Sequence, residues 1–554
     1  MKKAFSNTYV MAAIWALLLY LPNLYALYWS TITGGNFSGS IVNIHDHNVY
    51  LSSVRDGMNG EVWIGQLLFT TETDLPQPLH FVHASLFYRL IGWLFGLTNL
   101  PINLFYLVVG LLLAFIAFNA YSRLFTECLE SHGQVKIATT FLFVFPGLLW
   151  INQILQEFPN AESYVPNNVL FAELWGNPSM NPITHNSYMP HFVAANIIVT
   201  LLFCSFLHVI RDNRTSYLLM SVYALIVAYL LPSLGILWLA IVSTVLVYLI
   251  LVGRMSVSDV IPVILSFIPS GLMSIWSYSL AFRSDFWAKY IYANVIVNGT
   301  IDLPLLILHI GVFTPLIVWG SFKLLIFYDN KHLGHVIATI WLFWLFVLAL
   351  ASFPGSPRFM DGIYLPISIL VTYIISNMHN VPNSVRKWLY TITTLLVIPG
   401  TLITYIYPWY GHLYLHFSDK RINLRSDDIW PIRLSITEMD ALHWIKDNVG
   451  MNDVVVAGPI FSSFVPGFSG AKVYLGHIGR TIDFSQKLSA VQGINIVNRL
   501  PSIESDGSVW FVNTSHEIVS TPQKIYIDDG SAHCAVADFD LGDVSILEYT
   551  NCNS

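Results

Sequence analysis

Asp46 is the residue whose type and setting most directly suggest chemistry. It lies in His45-Asp46-His47-Asn48-Val49-Tyr50-Leu51, just past the first hydrophobic span. A carboxylate a few residues outside a membrane helix, in a long polar-aromatic connection, can act as a general base toward an acceptor hydroxyl. Taken alone, a solvated loop acid is the simpler reading. The same connection adds Arg55, Asp56, Glu61 and Glu72, then Pro76 and Pro78 before the next apolar stretch. Arg358, in the turn Phe353-Pro354-Gly355-Ser356-Pro357-Arg358-Phe359, offers the planar donor fork that suits phosphate; an interfacial anchor is the alternative. His185 and His191, with Glu162 and Glu173, fall in or beside a second long polar connection. They can bind sugar hydroxyls or a divalent ion, or serve as ordinary loop residues. His45, Asp46 and His47 add further ligand types, but the spacing matches no tight metal signature. No cofactor is required by these residues, and a divalent metal stays open.

These residues hang on a membrane scaffold. The 554 residues are 55% hydrophobic and only 11% charged, against about 25% charged in soluble domains. Runs long enough to cross a bilayer lie near 8–29, 101–122, 137–153, 190–210, 215–231, 234–252, 258–279, 303–326, 335–353, 363–378 and 388–408, about eleven spans. The run 81–97 contains His83 and Arg89 and reads as an amphipathic helix lying at the interface, with a twelfth span as the alternative. The N-terminal run reads as a retained helix and not a cleaved signal peptide. With the N-terminus inside, Lys2, Lys3, Arg123, Lys136, Arg211, Arg214, Arg254, Lys323, Lys331, Arg386 and Lys387 all fall on the inner face, as the positive-inside bias requires. The long connections 30–100 and 154–189, the turn 354–362 and the tail 409–554 then share the outer face.

The tail is different in kind. Residues 409–554 hold 10 Lys+Arg and 17 Asp+Glu, a net of −7, so the rest of the chain is neutral at 16 against 16. An acidic, solvated segment of this sort excludes a nucleic-acid partner there. Residues 437–448 read as a capped amphipathic helix. Residues 453–457, 509–512 and 524–527 read as strands. The expectation is a polytopic α-helical membrane protein, 1–408, with a small outer α/β domain, 409–554. Cys128 and Cys204 fall at single inner and membrane positions, whereas Cys534 and Cys552 both fall in the tail, where an oxidising compartment permits a bridge. The turn Gly476-His477 with Thr481 and Lys487 reads as a tight structural turn or a cap over a site.

The pattern Asp46-x-x-x-Tyr50-Leu51-x-x-x-Arg55, followed by Gly60, Glu72 and Pro76, resembles the first outer loop of the GT-C superfamily of glycosyltransferases. So does the order of first helix, long outer loop, about ten further spans and outer C-terminal domain. Some bacterial members read Asp-Asp-x-x-Tyr-Leu; here His47 stands at the second Asp, which leaves the base and any metal ligand less defined. The resemblance implies an inverting hexosyl- or pentosyltransferase that uses a polyprenyl-phosphate-linked sugar donor and a glycan, lipid or protein acceptor at the surface of a bacterial cytoplasmic membrane. It implies Asp46 as the base, Glu72 as its partner in placing the acceptor and Arg358 on the donor phosphate, with His47, Tyr50, Arg55, His185 and His191 as substrate contacts. A transporter or flippase of lipid-linked sugars is the non-enzymatic alternative, and an oligosaccharide ligase is a variant of the first reading. Transporters usually carry ionisable groups near the bilayer midplane and often inverted repeats; here the acids gather in the outer connections.

Overall fold

The computed structural model describes residues 2–41, 44–63, 68–69, 71, 85–144, 182–187, 189–211, 216–280, 303, 307, 310–326, 332–351, 356–377, 383–407, 433–450, 452–477, 480–481, 483–497, 507–514, 517, 524–526 and 532–551. The expectations for Glu72, Glu162, Glu173 and Cys552, and for most of the run 137–153, lie outside those residues. Six described helical segments are long and apolar enough to cross a membrane: Thr8–Ile32, Ile102–Cys128, Pro190–Ile210, Pro232–Leu251, Val257–Ser279 and Leu333–Leu350. The protein is therefore an integral membrane protein with multiple spanning helices. Three of the other expected runs appear as shorter apolar helices, Ser216–Leu230, Thr314–Leu325 and Tyr364–Ser376. The last of these has 13 residues, about 20 Å at 1.5 Å per residue, less than the roughly 30 Å hydrocarbon core.

The chain divides into two compact units, Met1–Leu21 with Val109–Gly411 and Pro22–Val108 with His412–Ser554. The first is helical. Aromatic side chains bind its helices: the Trp15 ring of α1 (Lys2–Ile32) lies 5.6 Å from Phe118, and its indole N–H donates to the Leu142 carbonyl at 2.9 Å. Trp238 and Trp341 pack at 5.4 Å and share Phe203 at 5.9 and 6.0 Å. Burying large rings supplies apolar area, and the Trp15 indole N–H is met by a backbone carbonyl.

In the second unit the connection 30–100 is helical where Asp46 stands. Helix α2 (Ile44–Met58) buries Ile44, His47, Asn48, Leu51 and Val54 on one stripe. That spacing of three and four residues is what a half-buried helix requires. Asp46 occupies its first turn and Arg55 its last, each favoured by the helix dipole. Helix α3 (Ser85–Gly96) has 12 residues, about 18 Å, too short to cross the bilayer core. Its buried side carries Tyr88, Arg89 and Gly92, and it leaves Leu90, Trp93 and Leu94 exposed. An apolar outer face on a short helix suits an interfacial position.

The tail supplies a six-stranded sheet in the order β4-β3-β5-β8-β7-β6. Strands β3 (Val454–Ala457), β4 (Lys472–Val473) and β5 (Val509–Thr514) run parallel; β6 (Lys524–Tyr526), β7 (Ala532–Asp540) and β8 (Val544–Asn551) extend the sheet antiparallel from β5. Val454, Val456, Tyr474, Leu475, Val491, Val509, Phe511 and Tyr549 form its core. The expected helix appears as Ile436–Asn448, with a capping box between Ser435 and Glu438. The β7–β8 hairpin was not anticipated, because Asp538, Asp540 and Asp543 interrupt the alternation there. Cys534 is disulfide-bonded, while Cys128 and Cys204 are free and buried.

Helices α2 and α3 touch backbone to backbone. A Cβ at Gly57 would overlap the Arg89 carbonyl oxygen, and one at Gly92 would overlap the Val54 carbonyl oxygen. Gly92→Ala is expected to force the pair apart at about 1–3 kcal/mol, the usual range for overpacking. Gly133→Ala, whose nearest contact is Ser131 Oγ at 3.8 Å, should not destabilise. Thermal midpoints of the detergent-purified proteins test this; equal midpoints would contradict the close crossing.

Candidate functional site

Around Asp46 the second unit is built by a helix of the tail. Strand β3 leads through Gly458 into α16, the helix Pro459–Phe468. Three contacts join α16 to α2. The Asn48 amide donates to Ser463 Oγ at 3.1 Å, Leu51 packs against the bare Cα of Gly467, and Arg55 donates to the carbonyls of Gly467 at 3.2 Å and Phe468 at 2.7 Å. These last carbonyls of a helix have no intrahelical partner, so a guanidinium fork suits them. At the other end of α16 the Glu517 carboxylate accepts from the Ile460 and Phe461 N–H groups at 2.9 and 2.7 Å. That position, after a parallel strand, is where such folds often hold an anion; here the chain's own carboxylate occupies it.

A second group of polar side chains lies just beyond the end of β4, the edge strand of the sheet. Gly476 and His477 are tied to Arg480 and Thr481 by short-range hydrogen bonds. The Gly476 and His477 N–H groups both donate to Thr481 Oγ1, at 3.1 and 3.3 Å, and the His477 carbonyl accepts from Arg480 and Thr481 at 2.9 and 2.8 Å. The turn sets His477 Nε2 3.0 Å from Asp46 Oδ1. Because a carboxylate only accepts, Nε2 carries the proton. The His477 ring stacks on His45 at 3.7 Å between centroids and 25° between planes. His45 Nε2 in turn donates to the Gly476 carbonyl at 3.3 Å. Burial, then the neighbouring His477, pushes the His45 pKa down to about 3, so His45 is neutral at pH 7. Asp46 itself is 45% exposed and His477 only 6%. The half-buried Arg480 guanidinium is held below its usual range by burial, against the opposing pull of Tyr50 and Asp46. The segment before Glu72 is anchored as well: Leu68 accepts from the Val473 N–H at 2.8 Å, and the buried Lys487 ammonium donates to Thr71 Oγ1 at 3.0 Å while lying 5.2 Å from the Tyr474 ring centroid.

Of the residues singled out in the sequence, His45, Asp46, His477 and Thr481 belong to this group, and Tyr50 acts on Arg480 beside it. His47 turns to packing: its ring meets Tyr106 edge-on at 4.3 Å, and its carbonyl accepts from the Tyr106 hydroxyl at 2.5 Å. Arg55 holds α16. Glu72 lies outside the described residues. Arg480 was not anticipated, and no single-sequence signal ties it to a residue more than four hundred positions earlier. For His477 the sequence leaves two readings open, a tight turn or a cap over a site, and neither names Asp46 as its partner.

The other candidates gather in the helical unit, around Phe192. The Arg358 guanidinium lies 4.7 Å from the Phe192 ring centroid, His191 4.2 Å and His185 6.2 Å. His185 is buried, with Nδ1 4.0 Å from Asp361 Oδ1 and Nε2 against the Asn196 amide. Burial pushes its pKa down to about 3, so it too is neutral at pH 7. Beside it Tyr121 donates to Asn186 Oδ1 and the Asn186 amide donates to the Tyr364 hydroxyl, both at 3.0 Å. Among the described residues no three His, Cys, Asp or Glu side chains converge as metal ligands. The 45–47 stretch diverges: His45 donates to a carbonyl, Asp46 accepts from His477 and His47 packs on Tyr106. These described donors do not form a metal site.

Arg55→Met removes two charge-assisted bonds to helix-terminal carbonyls. It is expected to destabilise the protein by about 1.5–3 kcal/mol, with Arg55→Lys recovering part of the loss. Thermal midpoints check this; no change would mean that the guanidinium does not hold α16.

No family model matches the sequence, and no curated protein does. Among solved structures, the chain is similar to the Archaeoglobus fulgidus oligosaccharyltransferase complexed with Zn and sulfate, at TM-score 0.48 and 10% identity, covering 85% of this chain and 62% of that one. It is also similar to the same archaeal protein with an inhibitory peptide and a dolichol-phosphate, at TM-score 0.43 and 12% identity, covering 92% of this chain and 69% of that one. The likeness is loose, and the chain spans less than two thirds of the first structure's length.

Proposed function

We propose that the protein is a membrane glycosyltransferase that moves one sugar from a polyprenyl-phosphate carrier to a glycan, lipid or protein acceptor on the outer face of a bacterial cytoplasmic membrane. The observation that carries this reading is the setting of Asp46. A half-exposed carboxylate stands in the first turn of α2, engaged by a histidine and beside an arginine, in a chain with multiple spanning helices. The GT-C pattern that begins at Asp46 supports the same conclusion. In this reading Asp46 takes the proton of the acceptor hydroxyl as its oxygen attacks the anomeric carbon. The bond from that carbon to the carrier phosphate breaks, the lipid phosphate departs with the bonding pair, and configuration inverts. Glu72 helps to place the acceptor, and Arg358 offsets the charge of the departing phosphate. A positioned base contributes about 10²–10⁴-fold, and a preorganised cation on the leaving group adds electrostatic stabilisation.

The wider arrangement proposed with it is a GT-C-like scaffold of about eleven spans. The N-terminus lies inside, 1–408 carries the membrane part and the catalytic connection 30–100, and 409–554 forms the outer α/β part. The transporter reading has one observation in its favour, the buried Asp361 beside His185 in the helical unit, since ionisable groups within a helical membrane bundle often mark a substrate path. It does not account for the group around Asp46.

Asp46→Asn keeps the shape of the side chain and removes its ability to accept a proton at neutral pH. Turnover with a polyprenyl-phosphate-linked donor should fall at least about a hundredfold with the protein still folded. Near-normal turnover would move the transporter to first place. Arg358→Ala should raise the donor KM or lower kcat by the loss of one charge-assisted phosphate contact, about 1.5–3 kcal/mol, with the acceptor KM little changed. Unchanged donor kinetics would leave Arg358 with packing on Phe192 as its role.

A further inference from the structure

We infer that His477 is a positioning residue for Asp46, so that the tail supplies a working part of the reactive site and is more than a cover over it. The inference rests on the glycosyl-transfer reading of Asp46 and deepens it by naming what holds the base. The two residues are 431 positions apart, yet His477 Nε2 and Asp46 Oδ1 meet at 3.0 Å. The histidine has little freedom to move. Its backbone is tied into the turn closed by Thr481 at both flanking amides. Its ring is stacked on His45, and the ring of Phe69 stands edge-on to it at 6.2 Å. His45 is fixed in turn by its bond to the Gly476 carbonyl.

Asp46, by contrast, is nearly half exposed, and an exposed aspartate samples several rotamers. A general base must lie within hydrogen-bond reach of the proton it takes. A misplacement of about 1 Å can lower a rate about 10²-fold. The His477 N–H at Oδ1 favours one rotamer of Asp46. The stack explains why the donor comes from a ring and not from a lysine or arginine. A flat, buried imidazole held face to face with another presents its N–H in one direction only.

The test uses the full-length protein in detergent, with a synthetic polyprenyl-phosphoryl hexose and pentose as donors and an alkyl glycoside as the hydroxyl acceptor, scored by release of polyprenyl phosphate together with the glycosylated acceptor. His477→Phe keeps a flat ring for the stack and removes the donor; His477→Gln keeps an amide N–H at similar reach. His477→Phe should lower kcat at least about tenfold with donor KM within about threefold, whereas His477→Gln should stay within about threefold of wild type. Thermal midpoints of Asp46→Asn, His477→Phe and the double variant form the second arm. Non-additive shifts are expected, because residues in contact couple. Additive midpoints, or a His477→Phe enzyme with wild-type kcat while Asp46→Asn is inactive, would overturn the inference and leave the glycosyl-transfer reading standing. Equal loss in the Phe and Gln variants would reduce His477 to packing and also overturn it. A wild type that releases no polyprenyl phosphate from either donor fails the glycosyl-transfer reading itself, and the inference with it.

Discussion

The join between α2 and α16 is the constraint on which the geometry around Asp46 depends. Arg55 reaches the last carbonyls of α16, Asn48 meets Ser463 and Leu51 fills the space over Gly467, so three successive turns of α2 are registered against one helix of the tail. The partners lie more than four hundred residues apart in sequence. Closing so long a loop is less costly than its length suggests, because the entropic penalty grows only with the logarithm of loop length, about 0.6 kcal/mol for each doubling. In sequence β3 precedes α16 and β4 follows it, and the turn after β4 brings His477 to the first turn of α2.

Charge is managed economically in the same region. Asp46 sits where a helix dipole favours an anion, and Arg55 where it favours a cation. The anion position at the start of α16 is filled by Glu517, which makes this end of the sheet a closed structural element. Two stacked imidazoles would repel if both were charged, and burial keeps His45 neutral, so the stack is compatible with a carboxylate beside it. The helical unit follows the same rule: His185 stays neutral through burial, and the polar groups of Asn186, Tyr121 and Tyr364 satisfy one another, as buried polar groups must.

Composition and pattern made much of this legible. An 11% charged chain with long apolar runs can only be a membrane protein, and six of the expected runs return as helices of spanning length. The expected α/β character of the tail was readable from the Ser435–Glu438 cap region and the valine-rich run before Gly458-Pro459. The α2 stripe of Ile44, His47, Asn48, Leu51 and Val54 was also present to be read. It was obscured because two of its five members are polar, and polarity suggested a loop. The strands β7 and β8 were missed for the related reason that exposed acidic residues dilute the alternation of an outer hairpin.

By itself the sequence determined the kind of protein and singled out Asp46 as a candidate acid, since both follow from local composition and from short spacings along the chain. It could not determine what that acid touches. His47, next to Asp46 in sequence, turns away to Tyr106 because successive residues on a helix point about 100° apart, while His477, in another part of the chain, faces the carboxylate. Arg55, a plausible ligand for substrate by charge alone, serves a helix end. Side-chain direction on a helix, and the meeting of segments distant in sequence, are settled only when the pieces pack, and that packing decided which of two histidines stands beside Asp46.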